Sequence, residues 1–368
     1  MIRKVYLDFI RDKLSQRDFR WLAARGMQYL LAYASSLVRR PLCGPILGTL
    51  VTNYRCNYRC QMCDLRLRDQ ELQGRGLREF DTDGMKRVLR DFAALGTSGI
   101  GFTGGEPLLR KDVFELLAYT KALGMFSHLN TNGYFLDDGA ARKIIEAKVD
   151  SINISLDGAR PETHNRIRGF SGAFDRALDA IGRIGALRKK TAAPLRIKIV
   201  AVINEDNIDE VGSMIDLSRD LMVDCVEFIP RQDFVSAGGS CAVRDPGFLA
   251  KVDRLTEFLL GYDAKGVRIE NSRTHLKLFP ASFRNAESKL RCFAGYTSLA
   301  VDCYGEIYPC VPWYNWRQAV GNMQGTDLTT FWNSTEYNAV RTEIARCKRC
   351  YLNCQAELNI LFNPLVKV

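Results

Sequence analysis

Residues 46–63 read ILGTLVTNYRCNYRCQMC: an apolar, β-branched run over 46–52, then Cys56-Asn-Tyr-Arg-Cys60-Gln-Met-Cys63. A strand that runs into three thiols spaced C-x3-C-x2-C puts all three sulfurs on the loop after it. Cysteine fills 12 of 368 positions, so chance gives such a triplet in about one chain per hundred of this composition. Three thiolates on a short loop suit three irons of a cubane [4Fe-4S] cluster, because soft sulfur ligands favour iron-sulfur sites. The fourth iron then has no protein ligand and can be chelated by a substrate or cofactor. A zinc site completed by a remote ligand is the alternative, but the chain has only His128, His164 and His275 and no partner pair close to the triplet.

Outward from this loop the chain alternates. Strand-like runs at 46–52, 99–103, 126–130, 151–155, 196–202 and 225–229 are separated by helical patterns near 82–95, 112–123, 138–147, 173–187 and 208–221. Such alternation predicts a parallel sheet with crossover helices. Six units fall short of the roughly 250 residues of a full eight-unit barrel, so the expected fold is α/β, a partial (β/α)6 TIM-like barrel. Gly238, Gly239, Ser240 and then Asp245-Pro-Gly247 mark a turn-rich connector. Four segments are expected: an N-terminal helical extension over 1–44, the barrel over 45–240, connector helices over 241–290 and a small cysteine-rich domain over 291–368. That last segment holds six of the twelve cysteines.

After the second strand comes Thr103-Gly104-Gly105-Glu106-Pro107. A glycine pair lets backbone approach a ligand closely, and Glu106 with its neighbouring carbonyls can receive an ammonium group. With the cysteine triplet, this turn gives the chain a resemblance to the radical S-adenosylmethionine (radical SAM) enzymes, over roughly residues 46–230. The resemblance implies that Cys56, Cys60 and Cys63 bind a [4Fe-4S] cluster whose open iron takes the amino and carboxylate groups of S-adenosylmethionine. It further implies that Gly104, Gly105, Glu106 and Pro107 line the methionine amino group and that Met62 sits beside the adenine. Asn130-Thr-Asn-Gly133 and Ser155-Leu-Asp-Gly158 resemble further turns of that family, which nominates Asn130 as a cofactor contact and Ser155 with Arg168 as holders of the carboxylate. Arg166 is the rival to Arg168, and a plain surface salt bridge is the alternative for either. In such enzymes the reduced cluster breaks a C–S bond of the cofactor, and the 5′-deoxyadenosyl radical abstracts hydrogen. No acid-base pair is needed for that step, and the cofactor carries the chemistry while the protein orients it and excludes water.

In the C-terminal segment Cys292 is followed by Gly305, Cys310 and the pair Cys347-Lys-Arg-Cys350. Residues 301–309 read as a β-hairpin turning at Gly305, which brings Cys292 towards Cys310. Four thiolates suit a [4Fe-4S] cluster or structural zinc equally on spacing. The arrangement resembles the twitch and SPASM extensions of radical SAM enzymes. The full SPASM pattern continues through three more cysteines, whereas here only Cys354 remains, so one auxiliary [4Fe-4S] cluster on Cys292, Cys310, Cys347 and Cys350 is expected, acting in electron transfer. Cys354 is the leading substitute ligand and Cys303 a weaker one. Cys43, Cys225 and Cys241 are expected to pack as small hydrophobes.

Composition narrows the rest. The chain is 46% apolar and 26% charged, ordinary for a globular protein. Lys and Arg number 52 against 42 Asp and Glu, a net charge of +10. Nine basic residues against three Asp in the first forty residues supply +6 of it, so no large nucleic-acid face is required and no nucleic-acid partner is expected. The N-terminus lacks a secretory apolar core, and no transmembrane helix is expected because the uncharged run 26–38 falls short of the roughly 20 residues that span a bilayer. Reduced thiols in a cytoplasmic protein follow. Residues 19–40, rich in Trp21, Tyr29 and Tyr33, read as a basic amphipathic helix. It either packs over the open side or base of the barrel, or against a second subunit, or gives peripheral contact with an anionic membrane. This extension is too short and too helical for the family's peptide-reading winged helix. The expectation is therefore a radical SAM oxidoreductase that functionalises an unactivated C–H bond of a small biosynthetic or lipid substrate, with a ribosomally made peptide as the alternative substrate. A non-catalytic iron-sulfur or zinc-binding protein is the rival of another class. The resemblance also implies a reductant such as flavodoxin or ferredoxin.

Overall fold

The computed structural model describes residues 14, 19–63, 65–232, 245–263, 266–316, 318–348, 350–363 and 366. The six expected strands are present as β1 (Leu47–Val51), β2 (Gly99–Thr103), β3 (Phe126–Thr131), β4 (Ser151–Ser155), β5 (Arg196–Ile203) and β6 (Cys225–Pro230), each pairing in parallel with the next. The main crossover helices are α3 (Thr82–Ala94), α4 (Val113–Ala122), α5 (Asp138–Glu146), α6 (Pro161–Arg168), α7 (Ala173–Thr191) and α8 (Val211–Asp220). Their starts carry sequence-encoded caps: Asp81 accepts from Gly84 N–H and Asp137 from Ala140 N–H, each satisfying an orphan donor. Ahead of them lie α1 (Phe19–Val38) and α2 (Leu65–Gly74). α2 escaped the sequence reading because its run LRLRDQELQG carries no apolar stripe.

The sheet continues past both ends of this set. β7 (Arg268–Ile269) adds in parallel to β6, and β8 (Ser298–Asp302) adds in parallel to β1, with β9 (Glu306–Tyr308) and β10 (Gly321–Asn322) following antiparallel. The order is β10-β9-β8-β1-β2-β3-β4-β5-β6-β7. The cysteine-rich segment expected over 291–368 therefore shares the sheet of the barrel: Ser298 to Asp302 pair one for one with Leu47 to Val51. The reason lies in β1, whose residues are almost all buried and whose free edge would leave unpaired backbone donors. The connector contains α9 (Pro246–Gly261), while Gly238, Gly239, Ser240 and Cys241 lie outside the described residues.

One core joins the helix-facing residues of the strands, such as Leu50, Ile100, Phe102, Leu129, Ile152, Ile154, Ile197 and Ile199, to the buried sides of the helices. Among the alternate residues of β3 to β6, His128, Asn130, Asn153, Lys198 and Glu227 are polar. Asn153 donates to Asn130 at 2.9 Å, and Lys198 pairs with Glu227 at 3.6 Å. These residues face away from the helix-packed core, and the cysteine triplet follows on the loop after the carboxyl end of β1. Among the described residues no helix is long and apolar enough to cross a membrane.

Candidate iron-sulfur and cofactor site

The cysteine loop is held from both sides by backbone. On one side Gly105 N–H donates to the Asn53 carbonyl and Glu106 N–H to the Arg55 carbonyl, both at 2.8 Å. A Cβ at Gly104, whose φ is +133°, would lie 2.2 Å from the Asn53 oxygen, and one at Gly105 would lie 2.0 Å from the Arg55 oxygen. The glycine pair is therefore required by its approach to the cysteine loop itself. On the other side Arg59 N–H and Gln61 N–H donate to the carbonyls of Arg168 and Ile167 at the end of α6, at 3.2 and 3.0 Å. Gly169 closes α6 at φ +60°, where a Cβ would meet the Arg59 oxygen at 2.2 Å.

Within this clamp Cys56 is half-buried and accepts from Tyr58 N–H at 3.4 Å and from the Asn132 amide at 3.8 Å. The Arg168 guanidinium donates to the Cys60 sulfur at 3.8 Å, and Cys63 is exposed. Burial raises the Cys56 thiol to about 11. Among the described residues no three Cys, His, Asp or Glu side chains converge as a metal-binding group, and the described cysteines are free thiols. The fit to a cluster lies in donor chemistry: three soft sulfurs on one loop, with an amide and a guanidinium N–H against two of them.

Two of the nominated side chains are engaged within the protein. The Glu106 carboxyl is turned inward, accepting from Thr131 Oγ1 at 2.8 Å, Asn132 N–H at 2.7 Å and Leu108 N–H at 3.0 Å. Burial lifts it to about 7 although these bonds pull the other way. It fastens the second strand's turn to the third's. Arg168 directs Nε to buried Asp157 at 2.6 Å; it is the counter-ion of that carboxylate as well as a neighbour of Cys60. Asp157 in turn accepts from Val202 N–H at 2.7 Å and donates its own N–H to His164 Nδ1 at 2.9 Å. Arg166 makes the surface salt bridge, to Asp206 at 3.2 Å.

Pro107 opens a one-turn helix capped by Glu106. Met62 is half-buried in the turn between Cys60 and Cys63, and Ser155 is half-buried at the end of β4. Asn130 is engaged with the Phe102 carbonyl at 3.1 Å and with Asn153. Sequence reasoning gave no role to Asn53, Asn132 or Asp157, although the last two lie within the Thr-Asn-Gly and Ser-x-Asp-Gly turns it quoted.

The C-terminal thiols gather as a second set. The hairpin β8–β9 turns at Gly305, φ +78°. Cys292 is hydrogen-bonded with Cys347, and Cys310, Cys347 and Cys350 all act with burial to push its thiol up. Cys310 and Cys350 are raised in the same way, and Cys354 acts on both, which brings it into this neighbourhood. Cys303 stands elsewhere: its electrostatic neighbours are Asp302, Glu79, Arg110 and Asp69, and its carbonyl accepts from Phe80 N–H. The structure thus separates it from the ligand set it was offered to complete. The hairpin is tied to the first loop by Asp302, which accepts from Tyr54 Oη at 2.8 Å and Tyr308 Oη at 3.2 Å.

Comparison with known proteins places a Radical SAM superfamily match on residues 50–217 and an iron-sulfur cluster-binding domain match on residues 292–354. The chain is 28% identical over 328 residues to Fe-coproporphyrin III synthase of Methanosarcina barkeri, covering 80% of this chain and 78% of that protein. It is 27% identical over 288 residues to PqqA peptide cyclase of Gluconobacter oxydans, covering 76% and 74%. In fold it is similar to SuiB of Streptococcus suis, with a TM-score of 0.63 at 18% identity over 81% of this chain and 68% of that one.

Proposed function

Because this chain belongs to the radical SAM superfamily and carries a C-terminal iron-sulfur cluster-binding domain, we propose that it takes hydrogen from an unactivated C–H bond of a peptide substrate. A [4Fe-4S] cluster and S-adenosylmethionine, when bound, supply one-electron cleavage to methionine and a 5′-deoxyadenosyl radical. Cys56, Cys60 and Cys63 hold the cluster. Gly104 and Gly105 offer backbone carbonyls to the methionine ammonium, and Ser155 at the end of β4 and Arg168 at the end of α6 receive its carboxylate. Met62 covers the adenine, and Asn130 fixes the floor of the site. Cys292, Cys310, Cys347 and Cys350, with Cys354 close by, hold one auxiliary cluster that passes electrons, and flavodoxin or ferredoxin supplies the reducing electron.

The observation that carries this reading is the double clamp on the cysteine loop, held by the Gly104–Gly105 turn on one side and by the carbonyls of Ile167 and Arg168, with Gly169 making room, on the other. Placing a peptide first reverses the order taken from sequence alone, and similarity to PqqA peptide cyclase over three quarters of both chains supports the reversal. A tetrapyrrole is the second reading, favoured by the Fe-coproporphyrin III synthase match across 80% of the chain.

The test is anoxic reconstitution with iron and sulfide, followed by reduction with S-adenosylmethionine and assay for 5′-deoxyadenosine. The native chain should bind iron and sulfide and release 5′-deoxyadenosine, and Cys56→Ala should release none. Zinc with no 5′-deoxyadenosine from the native chain would sink the proposal. Deuterium carried into 5′-deoxyadenosine from a labelled peptide, and not from a labelled porphyrin, decides the substrate class.

A further inference from the structure

α1 is amphipathic the wrong way round for a helix that only covers a core. Its buried residues are Gln28, Ala32, Ser35 and Ser36, and its polar groups bond inward. The Gln28 amide donates to the carbonyls of Gly96 and Pro45 at 3.0 and 3.3 Å, Ser98 Oγ donates to Gln28 Oε1 at 2.8 Å, and Arg25 donates to the Gly96 carbonyl at 3.0 Å. Tyr29 Oη donates to the Leu361 carbonyl, and its ring stacks on Phe362 at 4.5 Å. These contacts fix the helix against the base of the sheet, at the amino ends of β1 and β2.

The outer side is apolar. Among the described residues, seven of the ten exposed large hydrophobic side chains lie between residues 19 and 42, with Phe19, Leu30 and Leu37 each 61% exposed. Phe19, Met27, Leu30, Tyr33 and Leu37 follow the helical repeat and share one stripe. Scattered exposed hydrophobics need no explanation, but a contiguous stripe of this kind marks an interaction surface.

Beside the carboxyl end of α1 is a recess of about 310 Å³ whose lining includes Arg39, Arg291, Tyr296, Arg341 and Arg346, and no carboxylate. Arg341 is buried, and its partners are neutral: the carbonyls of Gly295 and Trp332 at 2.7 and 2.6 Å, Asn338 Oδ1 at 2.6 Å, and the faces of Tyr337 and Trp332 at 4.3 and 4.6 Å. Arg291 donates to the Ser36 carbonyl at 3.0 Å, which links the recess to α1. The positive charge of this pocket is therefore left for an anion to meet.

We propose that the apolar side of α1 and the arginine recess together form a docking surface for an anionic phospholipid bilayer, with the helix lying in the interface and a lipid phosphate in the recess. An apolar stripe that enters the acyl boundary next to basic residues that meet headgroups is the physical pattern of a peripheral helix. The first forty residues add a net charge of +6 to the same end of the chain. A second copy of the chain is the poorer occupant. A two-fold contact through this face would bury both sets of arginines in one interface, without a lining carboxylate to meet them. The surface lies at the base of the barrel, opposite the cysteine loop, so a docked molecule presents its mouth to water. The inference does not rest on the substrate proposed above.

The test is co-sedimentation of the full chain, at equal iron and sulfide content for every variant, with vesicles of phosphatidylcholine alone or mixed with phosphatidylglycerol. Binding should strengthen with phosphatidylglycerol. Arg39→Asn together with Arg346→Gln should weaken binding to the mixed vesicles about twenty-fivefold, at roughly fivefold per arginine. Leu30→Asp together with Leu37→Asp should abolish binding while 5′-deoxyadenosine release is retained. Equal binding to both vesicle types overturns the headgroup assignment. No binding to either, with a dimer in sedimentation velocity that Leu30→Asp and Leu37→Asp dissolve, overturns the membrane and makes the face a contact between copies.

Discussion

His164 shows how one buried ring can set part of the acid stability. Its Nδ1 accepts the Asp157 N–H at 2.9 Å, and burial first, with the Arg168 charge second, lowers it to about 3. In the unfolded chain the same imidazole takes up its proton near 6.5. Between those values the unfolded chain binds the extra proton, so the contribution to stability is full above about pH 6.5 and is lost as pH falls. At pH 5 the loss is about 2 kcal/mol. In His164→Asn this share of the pH dependence should vanish. Urea unfolding at pH 7 and pH 5 checks it: the gap between the two midpoints should be smaller in the variant than in the native chain. Glu106, raised to about 7, and Asp302, raised to about 6, act in the opposite sense, since burial favours their protonated forms. The comparison between variant and native chain cancels them.

At the scale of elements, the strand-end turns hold one another. The turn after β2 grips the loop after β1 through two backbone bonds, and the end of α6 grips it through two more. Glu106 binds the second turn to the third. Gly105→Ala would drive a Cβ against the Arg55 oxygen, where neither backbone can yield cheaply. Iron content of the reconstituted variant should fall to that of the C-terminal set alone, and 5′-deoxyadenosine release should be lost. Gly182→Ala, on the open side of α7 with nothing within 4 Å, is the matched control. It should keep full iron and leave stability unchanged or raised by up to about 1 kcal/mol, because helical Ala loses less backbone freedom on folding than Gly.

The whole molecule is built around one sheet shared between the two matched regions. β8 covers the edge of β1, and Tyr54 of the first cysteine loop meets Asp302 at the end of β8. A chain ending at residue 290 would expose the edge of β1 and leave Tyr54 without that partner. It should be recovered in the insoluble fraction, whereas the full chain stays in the supernatant; a soluble, cooperatively unfolding product of 1–290 would contradict the shared sheet. The same arrangement sets the two ends apart in task. Cysteine loop, glycine turn and Arg168 gather at the carboxyl ends of the strands, while α1 and its arginines occupy the amino ends.

Sequence by itself determined the six parallel strands β1 to β6 and singled out the cysteine triplet. Strand periodicity is local, and a C-x3-C-x2-C triplet needs no partner to be read. It also determined that Gly104, Gly105 and Glu106 belong with that triplet, though for a ligand's approach. Only the tertiary structure decided that the glycines make room for the cysteine loop, because the close carbonyl belongs to residues fifty positions away. It likewise decided that Glu106 turns inward, that Arg168 neutralises Asp157, and that Cys354 joins the second thiol set while Cys303 does not. The pairing of β8 with β1 depended on an unfilled edge that no local pattern reports. The inverted face of α1 was hidden for the same reason. An amphipathic pattern separates two sides of a helix, but what lies beside each side, here the carbonyls of Gly96 and Pro45, fixes which one turns inward.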